Sequence, residues 1–102
     1  MSPYLSIRES NIHGQGLFAA RFIPEGTELG EYEGPVVSES GPHVLWCYDE
    51  DDNEYGIDGR NSLRFVNHSV APNVEFVGPE LSALRDIKSG EELFHHYGEG
   101  WE

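Results

Sequence analysis

The chain has 102 residues, a length typical of one domain, since independent domains usually hold about 100–200 residues. Its 6 lysines and arginines against 19 aspartates and glutamates give a net charge of −13, and a field of that sign repels phosphate backbones and anionic lipid headgroups. The composition therefore disfavours direct binding to nucleic acid or to a membrane surface.

The lone cysteine, Cys47, excludes an intramolecular disulfide and a cysteine-rich zinc site, so we expect no bound metal. No apolar run approaches the roughly 20 residues of a membrane-spanning helix, and the N-terminus lacks the basic and apolar regions of a signal peptide. These features predict a cytoplasmic protein in a reducing compartment, or a nuclear one if it acts in a eukaryotic cell.

Short apolar or alternating runs, separated by Gly, Pro, Asn and Asp, predict a mostly β fold. The predicted strands are, in chain order, Tyr4–Ile7, Leu17–Phe22, Glu28–Tyr32, Pro35–Val37, Val44–Tyr48, Val74–Val77 and Leu81–Leu84. The acidic cluster Asp49–Glu54 predicts a solvated loop between two strands, with contact to a basic partner as the alternative. Only Ser89–Tyr97 has room for a turn or two of helix.

The first stretch with chemical potential is Gly14-Gln15-Gly16-Leu17-Phe18. Its two glycines permit positive φ angles and close approach of the backbone to a ligand. Because the third glycine of a dinucleotide fingerprint is missing and no helix pattern follows, this stretch taken alone predicts an ordinary β-turn.

Two later stretches are rich in polar side chains. Within Arg64–Asn73, Asn67 and His68 either satisfy buried backbone groups or face a ligand, because buried polar groups need partners. In the second stretch, His95 and His96 directly precede Tyr97. Adjacent residues of a strand point to opposite faces, so the two histidines are not expected to hold one metal ion.

In this order, these stretches resemble the SET domain, the fold of protein-lysine methyltransferases. Arg64-Phe65-Val66-Asn67-His68-Ser69 followed by Pro72-Asn73 resembles its most specific signature. The other matching segments are Gly14-x-Gly16-Leu17-Phe18, Gly30-Glu31-Tyr32-Glu33-Gly34, Tyr55-Gly56-Ile57-Asp58-Gly59-Arg60, and Gly90-Glu91-Glu92-Leu93 with Tyr97-Gly98. The resemblance implies a mostly β SET-domain fold, with several small β-sheets around a pseudoknot-like C-terminal segment.

The chain also departs from the family pattern. Val70 stands where the signature usually has cysteine, and no cysteine cluster follows Tyr97, so we expect no zinc-bound cap of the kind that many members carry. We expect a single SET domain over residues 1–102 with a truncated insert around 39–60, similar to the minimal viral and bacterial members.

The resemblance implies an S-adenosylmethionine-dependent protein-lysine N-methyltransferase in which Tyr97 is the catalytic residue. The residues that it assigns to cofactor binding are Gly14, Gly16, Leu17, Arg64, Asn67, His68 and Tyr97. The residues that it assigns to the substrate-lysine channel are Tyr32, Tyr55, His95 and Trp101. His95 occupies a position where the family usually carries Phe or Tyr, and whether it holds a water or only reshapes the channel stays open.

The acidic charge predicts a basic protein or peptide substrate, such as a histone-like or ribosomal tail. An acidic surface is also a solubility device in a salt-loving host, which is the alternative explanation of the charge. A homodimer that walls the channel through apolar surface near Trp46 or Trp101 is a further expectation. The rival function is a catalytically weak SET-like module that binds a peptide or the cofactor without turnover.

Overall fold

The structure, a computed structural model, describes residues 2–11 and 14–96. Those residues form short strands and one 3-10 turn, Ser62–Phe65. The strands are β1 (Leu5–Glu9), β2 (Gln15–Ala19), β3 (Glu28–Glu31), β4 (Val36–Val37), β5 (Val44–Tyr48), β6 (Glu54–Asp58), β7 (Asn67–His68), β8 (Val74–Val77), β9 (Glu80–Ala83) and β10 (Phe94–His95).

The strands pair into four small sheets. Strands β1 and β2 form an antiparallel hairpin, while β3-β9-β8 and β4-β6-β5 form antiparallel sheets of three strands in those orders. Strands β7 and β10 pair in parallel. Because a parallel pair needs a long crossover, this last pairing joins segments that are distant in sequence.

One hydrophobic core holds the small sheets together. Its fully buried side chains are Leu17, Ile23, Leu29, Val74, Leu81, Ile87 and Leu93. Isolated bridges pair Ile23 with Ile87 and Phe18 with Glu92, so the segment before β10 is tied to β2 and to the turn that follows it. Burial of apolar surface from segments far apart in sequence therefore stabilises the small sheets together.

The mostly β prediction is confirmed, and each of the seven predicted strands occurs with ends shifted by no more than a few residues. The sequence analysis missed β6, the central strand of its sheet. The strand carries acidic residues at both ends and Gly56 in its middle, which weakens its pattern. A Cβ at Gly56 would lie 2.8 Å from Val44 Cγ1 and 3.2 Å from Trp46, so the glycine allows close packing of neighbouring side chains.

The helical prediction for Ser89–Tyr97 is wrong over its described part. Phe94 and His95 form β10, and Glu92 bridges to Phe18. A helix of one or two turns is marginal in water, so pairing with β7 and β2 determines the conformation of this segment. No helix among residues 2–11 and 14–96 is long and apolar enough to cross a membrane.

The acidic cluster forms the turn between β5 and β6, as the loop prediction expected, although Glu54 already belongs to β6. The Asp49 carboxylate accepts hydrogen bonds from the backbone N–H groups of Asp51 and Asn53, each at 2.9 Å. Asp49 therefore organises the turn, whereas the neighbouring carboxylates are exposed to solvent. We call the segment Asp49–Glu54 the acidic hairpin.

Candidate functional site

The parallel pairing of β7 with β10 brings two of the predicted motifs together. Asn67 lies opposite Phe94, and His68 lies opposite His95. The loop after β7 extends the pairing, because Ser69 N–H donates to the His95 carbonyl at 3.0 Å. Two segments that are more than twenty residues apart thus share one small surface.

The glycine motif joins the same surface through side-chain hydrogen bonds. Asn67 Nδ2 donates to Glu92 Oε2 at 2.9 Å and to the Gln15 carbonyl at 3.4 Å. Ser10 Oγ donates to the Glu92 carboxylate, with 2.9 Å to each oxygen. Three of the five segments that carried the family resemblance therefore meet around Glu92. We call Ser10, Gly16, Asn67 and Glu92 the Glu92 cluster.

Glycine is required at Gly14 and at Gly16 for two different structural reasons. Gly14 adopts a φ of +49°, in the left-handed region that favours glycine, and its carbonyl accepts the Ser10 N–H at 2.7 Å. Gly16 is buried, and a Cβ there would collide with the Glu92 carboxylate. The side chain of Leu17 is fully buried in the core, so Leu17 offers only its backbone to a cofactor.

A cavity of about 280 Å³ brings Tyr32, Arg64 and His95 together. The hydroxyl of Tyr32 donates to the His43 carbonyl at 2.5 Å. The ring of Phe76 packs edge-to-face against both Tyr32, at 5.4 Å between centroids, and His95, at 5.1 Å. Phe76, which the sequence analysis did not assign to the site, therefore holds two of the predicted channel residues in place.

Arg64, which was predicted to contact the cofactor, also has a structural role in the turn Ser62–Phe65. Its Nη1 donates to the carbonyls of Arg60 and Asn61, each at 2.8 Å, and its guanidinium lies 4.2 Å from the centre of the Phe65 ring. These contacts fix the 3-10 turn that leads into β7. The cofactor contact itself stays a prediction.

Tyr55 is not among the residues that line the cavity around Tyr32 and His95. It lies on β6 opposite Cys47. Burial raises the pKa of the Cys47 thiol, and a hydrogen bond with Tyr55 opposes part of that increase. Its assignment to the lysine channel stays a prediction. Tyr97 and Trp101 lie outside the described residues, so their predicted roles carry over unchanged.

A groove of about 550 Å³ lies between two sheet edges. Strand β5 is an edge of its sheet, strand β8 is an edge of the other, and both line the groove. Trp46, Phe76 and His95 line this groove as well as the 280 Å³ cavity. His95 therefore stands between the two spaces, at the position where the resemblance placed a channel residue.

His95 is a neutral side chain at physiological pH. Burial, with a smaller effect of the nearby His68 and His96 rings, lowers its pKa to about 4. The ring of His96 lies 5.0 Å from that of His68, whereas the ring of His95 packs against Phe76. The adjacent residues His95 and His96 therefore have different neighbours. A cationic ligand at this junction meets no positive charge from His95, which suits a sulfonium or an ammonium group.

The low pKa of His95 predicts that the protein loses stability as the pH falls from about 6.5 to about 4. In that window the unfolded chain protonates His95 and the folded chain does not, so the effect is absent above pH 6.5 and complete below pH 4. A shift of this size corresponds to about 3 kcal/mol. Denaturant unfolding of wild type and His95→Asn between pH 7 and 4 measures it.

The slope with pH, rather than the stability at one pH, is the readout of that experiment. His95→Asn is expected to flatten the slope, while His43→Asn, at an exposed histidine, is expected to keep it. Equal slopes in wild type and His95→Asn would contradict the assignment.

The residues that sequence reasoning missed are Ser10, Phe76 and Glu92. Ser10 and Phe76 carry no motif signal, since each acts through tertiary contacts. Glu92 belongs to a recognised motif, but the motif does not show that its side chain turns inward. Among the described residues, no group of three or more His, Cys, Asp or Glu side chains is arranged to hold a metal ion.

Comparison with known proteins gives matches over most of the chain. The sequence profile described as SET domain matches residues 14–98. The chain is 30% identical over 115 residues to the histone-lysine N-methyltransferase trithorax of Drosophila virilis, covering 92% of this chain and 3% of that protein. It is 33% identical over 108 residues to the human histone-lysine N-methyltransferase EHMT1, covering 84% of this chain and 8% of that protein.

A fungal relative shows the same relation. The histone-lysine N-methyltransferase EZH2 of Chaetomium thermophilum is 31% identical over 116 residues, which cover 86% of this chain and 8% of that protein. The chain thus spans less than a tenth of the length of these curated relatives. The profile match, residues 14–98, includes the residues that line the cavity and the groove, and it includes Gly16, Asn67 and Glu92 of the Glu92 cluster.

Proposed function

The chain belongs to the SET domain family, and we propose that it is an S-adenosylmethionine-dependent protein-lysine N-methyltransferase. The observation that carries the proposal is the parallel β7–β10 pairing, which assembles Asn67, His68 and His95 in one place. We treat residues 1–102 as a single SET domain with a shortened insert around 39–60. In this chain the insert consists largely of β5, the acidic hairpin and β6.

The described residues fit the cofactor. The exposed Gly14, which has a positive φ and no Cβ, leaves its backbone open to a ligand, while Asn67 and His68 offer hydrogen-bonding groups for an adenine edge. S-adenosylmethionine, when bound, supplies the methyl group and carries a sulfonium cation. The neutral His95 and the acidic chain do not oppose that charge.

In this proposal the cavity walls lower the pKa of the substrate lysine and so favour its neutral, nucleophilic amine. A free lysine has a pKa near 10.4, and an ammonium group in an apolar channel loses hydration, so its pKa falls. Tyr32 and His95 line such a channel in this proposal, both held by Phe76. By the family resemblance, the hydroxyl of Tyr97 aligns the amine with the methyl group, and alignment of this kind supplies a large part of the rate enhancement.

The substrate is a lysine in a basic protein segment, as the histone-directed names of the relatives also suggest. The groove between the edges of β5 and β8 suits an extended chain, because an edge strand presents unpaired backbone groups. Glu75 lines that groove, and the acidic hairpin continues from the end of β5. Both features favour positive side chains next to the target lysine.

Neutralising the hairpin is expected to weaken the salt dependence of substrate binding. Exposed charges attract a basic peptide over about 8–10 Å at physiological salt, and added salt screens them. The variant Glu50→Gln/Asp51→Asn/Asp52→Asn keeps Asp49, whose side chain organises the turn. KM for a basic peptide should rise at low salt and vary less between low and high salt.

The matched control removes the same charge elsewhere, with Glu9→Gln/Glu25→Gln/Glu28→Gln at exposed positions. Its salt dependence should stay steeper than that of the hairpin variant. Equal salt dependence in both variants would show that total charge, and not the hairpin, attracts the substrate.

The direct test of the cofactor site is calorimetric titration with S-adenosylmethionine and its demethylated product, S-adenosylhomocysteine. We expect micromolar affinity for at least one of them, on the order of −8 kcal/mol. No heat with either ligand up to millimolar concentration would exclude the enzyme. Binding without methyl transfer would support the rival function, a SET-like binding module.

A further inference from the structure

The carboxylate of Glu92 joins three segments of the candidate site. It accepts Ser10 Oγ from the end of β1 and Asn67 Nδ2 from β7, at 2.9 Å in each case. The backbone of Glu92 is fixed as well, since it bridges to Phe18 and its carbonyl accepts Asn73 Nδ2 at 2.9 Å. The position of this carboxylate is therefore determined from several sides.

The two glycines of the first motif, Gly14 and Gly16, are both held by contacts with Ser10 or Glu92, and we call the segment Gly14–Gly16 the glycine loop. Ser10 N–H donates to the Gly14 carbonyl at 2.7 Å, which closes the loop, and Ser10 Oγ anchors it to Glu92. At the other end, Gly16 packs so closely that a Cβ would meet the Glu92 carboxylate. The spacing between the glycine loop and β7 is thus set by the side chain between them.

The neighbouring glutamate provides a contrast. Glu91 points to the protein surface, where its carboxylate pairs with Arg85 Nη2 at 3.0 Å and accepts the Lys88 N–H at 2.6 Å. The hydrogen bond from Arg85, with that from Lys88, lowers the pKa of Glu91. Successive side chains of an extended segment point to opposite sides, so two adjacent glutamates of one motif have different environments.

We propose that Glu92 is a positioning residue for the cofactor site, which holds the Asn67 amide and the Gly14–Gly16 loop in binding geometry. This inference rests on the proposed function. Glu92 acts through Ser10 and Asn67, and its substitution should alter cofactor affinity more than the rate of the bound complex. Hydrogen bonds to a charged group are stronger than neutral ones, so a neutral side chain of the same size is an informative change.

Glu92→Gln tests the proposal. Glutamine keeps one acceptor oxygen and places an NH2 donor where the second carboxylate oxygen stood, so Ser10 and Asn67 lose the charged acceptor that they share. We expect the Kd for S-adenosylhomocysteine and the KM for S-adenosylmethionine to rise together by about tenfold, while kcat at saturating cofactor changes less than about threefold. The matched control, Glu91→Gln, should leave Kd, KM and kcat within about twofold of wild type.

The outcomes separate this inference from the proposed function. No ligand binding by wild type would overturn both. Wild-type binding with an unchanged Kd in Glu92→Gln would overturn the positioning role alone. A lowered kcat with an unchanged Kd would also overturn it, because it would assign Glu92 to the chemical step.

A structural readout accompanies the kinetics. In wild type the Asn67 side-chain amide protons should give an NMR resonance protected from solvent exchange, and Glu92→Gln should shift that resonance or remove its protection. Ser10→Ala, which removes one donor and leaves the Asn67 contact, should weaken S-adenosylhomocysteine binding by about threefold. An unperturbed Asn67 amide in Glu92→Gln, in a protein that remains folded by circular dichroism, would overturn the proposal.

Discussion

Replacement of Tyr97 by Phe is expected to lower kcat by at least about a hundredfold while the affinity for S-adenosylhomocysteine stays within about twofold. The proposed role of its hydroxyl is to align amine and methyl group, an interaction that matters in the transition state more than in the ground state. A small misplacement of reacting groups is enough to lower a rate by about this factor. Single-turnover kinetics with a basic peptide, together with calorimetry, measure the two quantities separately.

The control for that variant is Tyr4→Phe, which removes a hydroxyl from a partly buried tyrosine near the core. It should leave both kcat and ligand affinity near the wild-type values. If Tyr97→Phe retained most of the wild-type rate, Tyr97 would only contribute to packing. If it abolished ligand binding and turnover together, its role would lie in the cofactor pocket.

The second large effect is expected for the core residue Leu93. Its side chain is fully buried, and its N–H donates to the Leu17 carbonyl at 2.7 Å, so it anchors the segment between Glu92 and β10. Leu93→Ala should lower the free energy of unfolding by about 2–5 kcal/mol, a large part of the stability of a small domain. Thermal unfolding should show a decrease in Tm of about 10 °C or more.

Leu84→Ala is the matched control, because Leu84 is 39% exposed. It removes the same atoms from the surface and should lower the free energy of unfolding by less than about 1 kcal/mol. Equal destabilisation by the two variants would contradict the account of the core. It would also remove the reason to regard the segment before β10 as firmly held.

The sequence was informative where local patterns and motif resemblance determine structure. Short apolar or alternating runs predicted strands such as Val44–Tyr48 and Val74–Val77 with the bounds that the structure has. The signature around Asn67 and His68 predicted one part of the candidate site. Asn67 lies beside the glycine motif, because its Nδ2 donates to the Gln15 carbonyl.

The remainder depends on tertiary contacts that no local pattern encodes. Phe94 and His95 form a strand because β7 lies beside them, so a helical reading of that segment failed. Tyr55 packs at Cys47 and not at the cavity of Tyr32, since the register of β5 and β6 decides its neighbours. The inward orientation of Glu92 likewise follows from its hydrogen bonds to Ser10 and Asn67.

The structure gives a physical description of His95, the residue that departs from the family pattern. The sequence showed only a histidine where Phe or Tyr is usual. The structure adds that its ring packs against Phe76, stands between the cavity and the groove, and has a pKa lowered to about 4 by burial. It therefore serves as a neutral wall at the junction through which, in the proposed function, the substrate lysine passes.

The central claim is methyl transfer from S-adenosylmethionine to a lysine amine, and isotope labelling tests it most directly. Wild-type protein is incubated with methyl-labelled S-adenosylmethionine and a set of basic proteins that includes histones and ribosomal proteins, and labelled products are mapped by mass spectrometry. The account predicts label on lysine ε-amines of a basic segment, lost in Tyr97→Phe. Absence of label on lysine, from a protein that binds the cofactor in calorimetry, would contradict it.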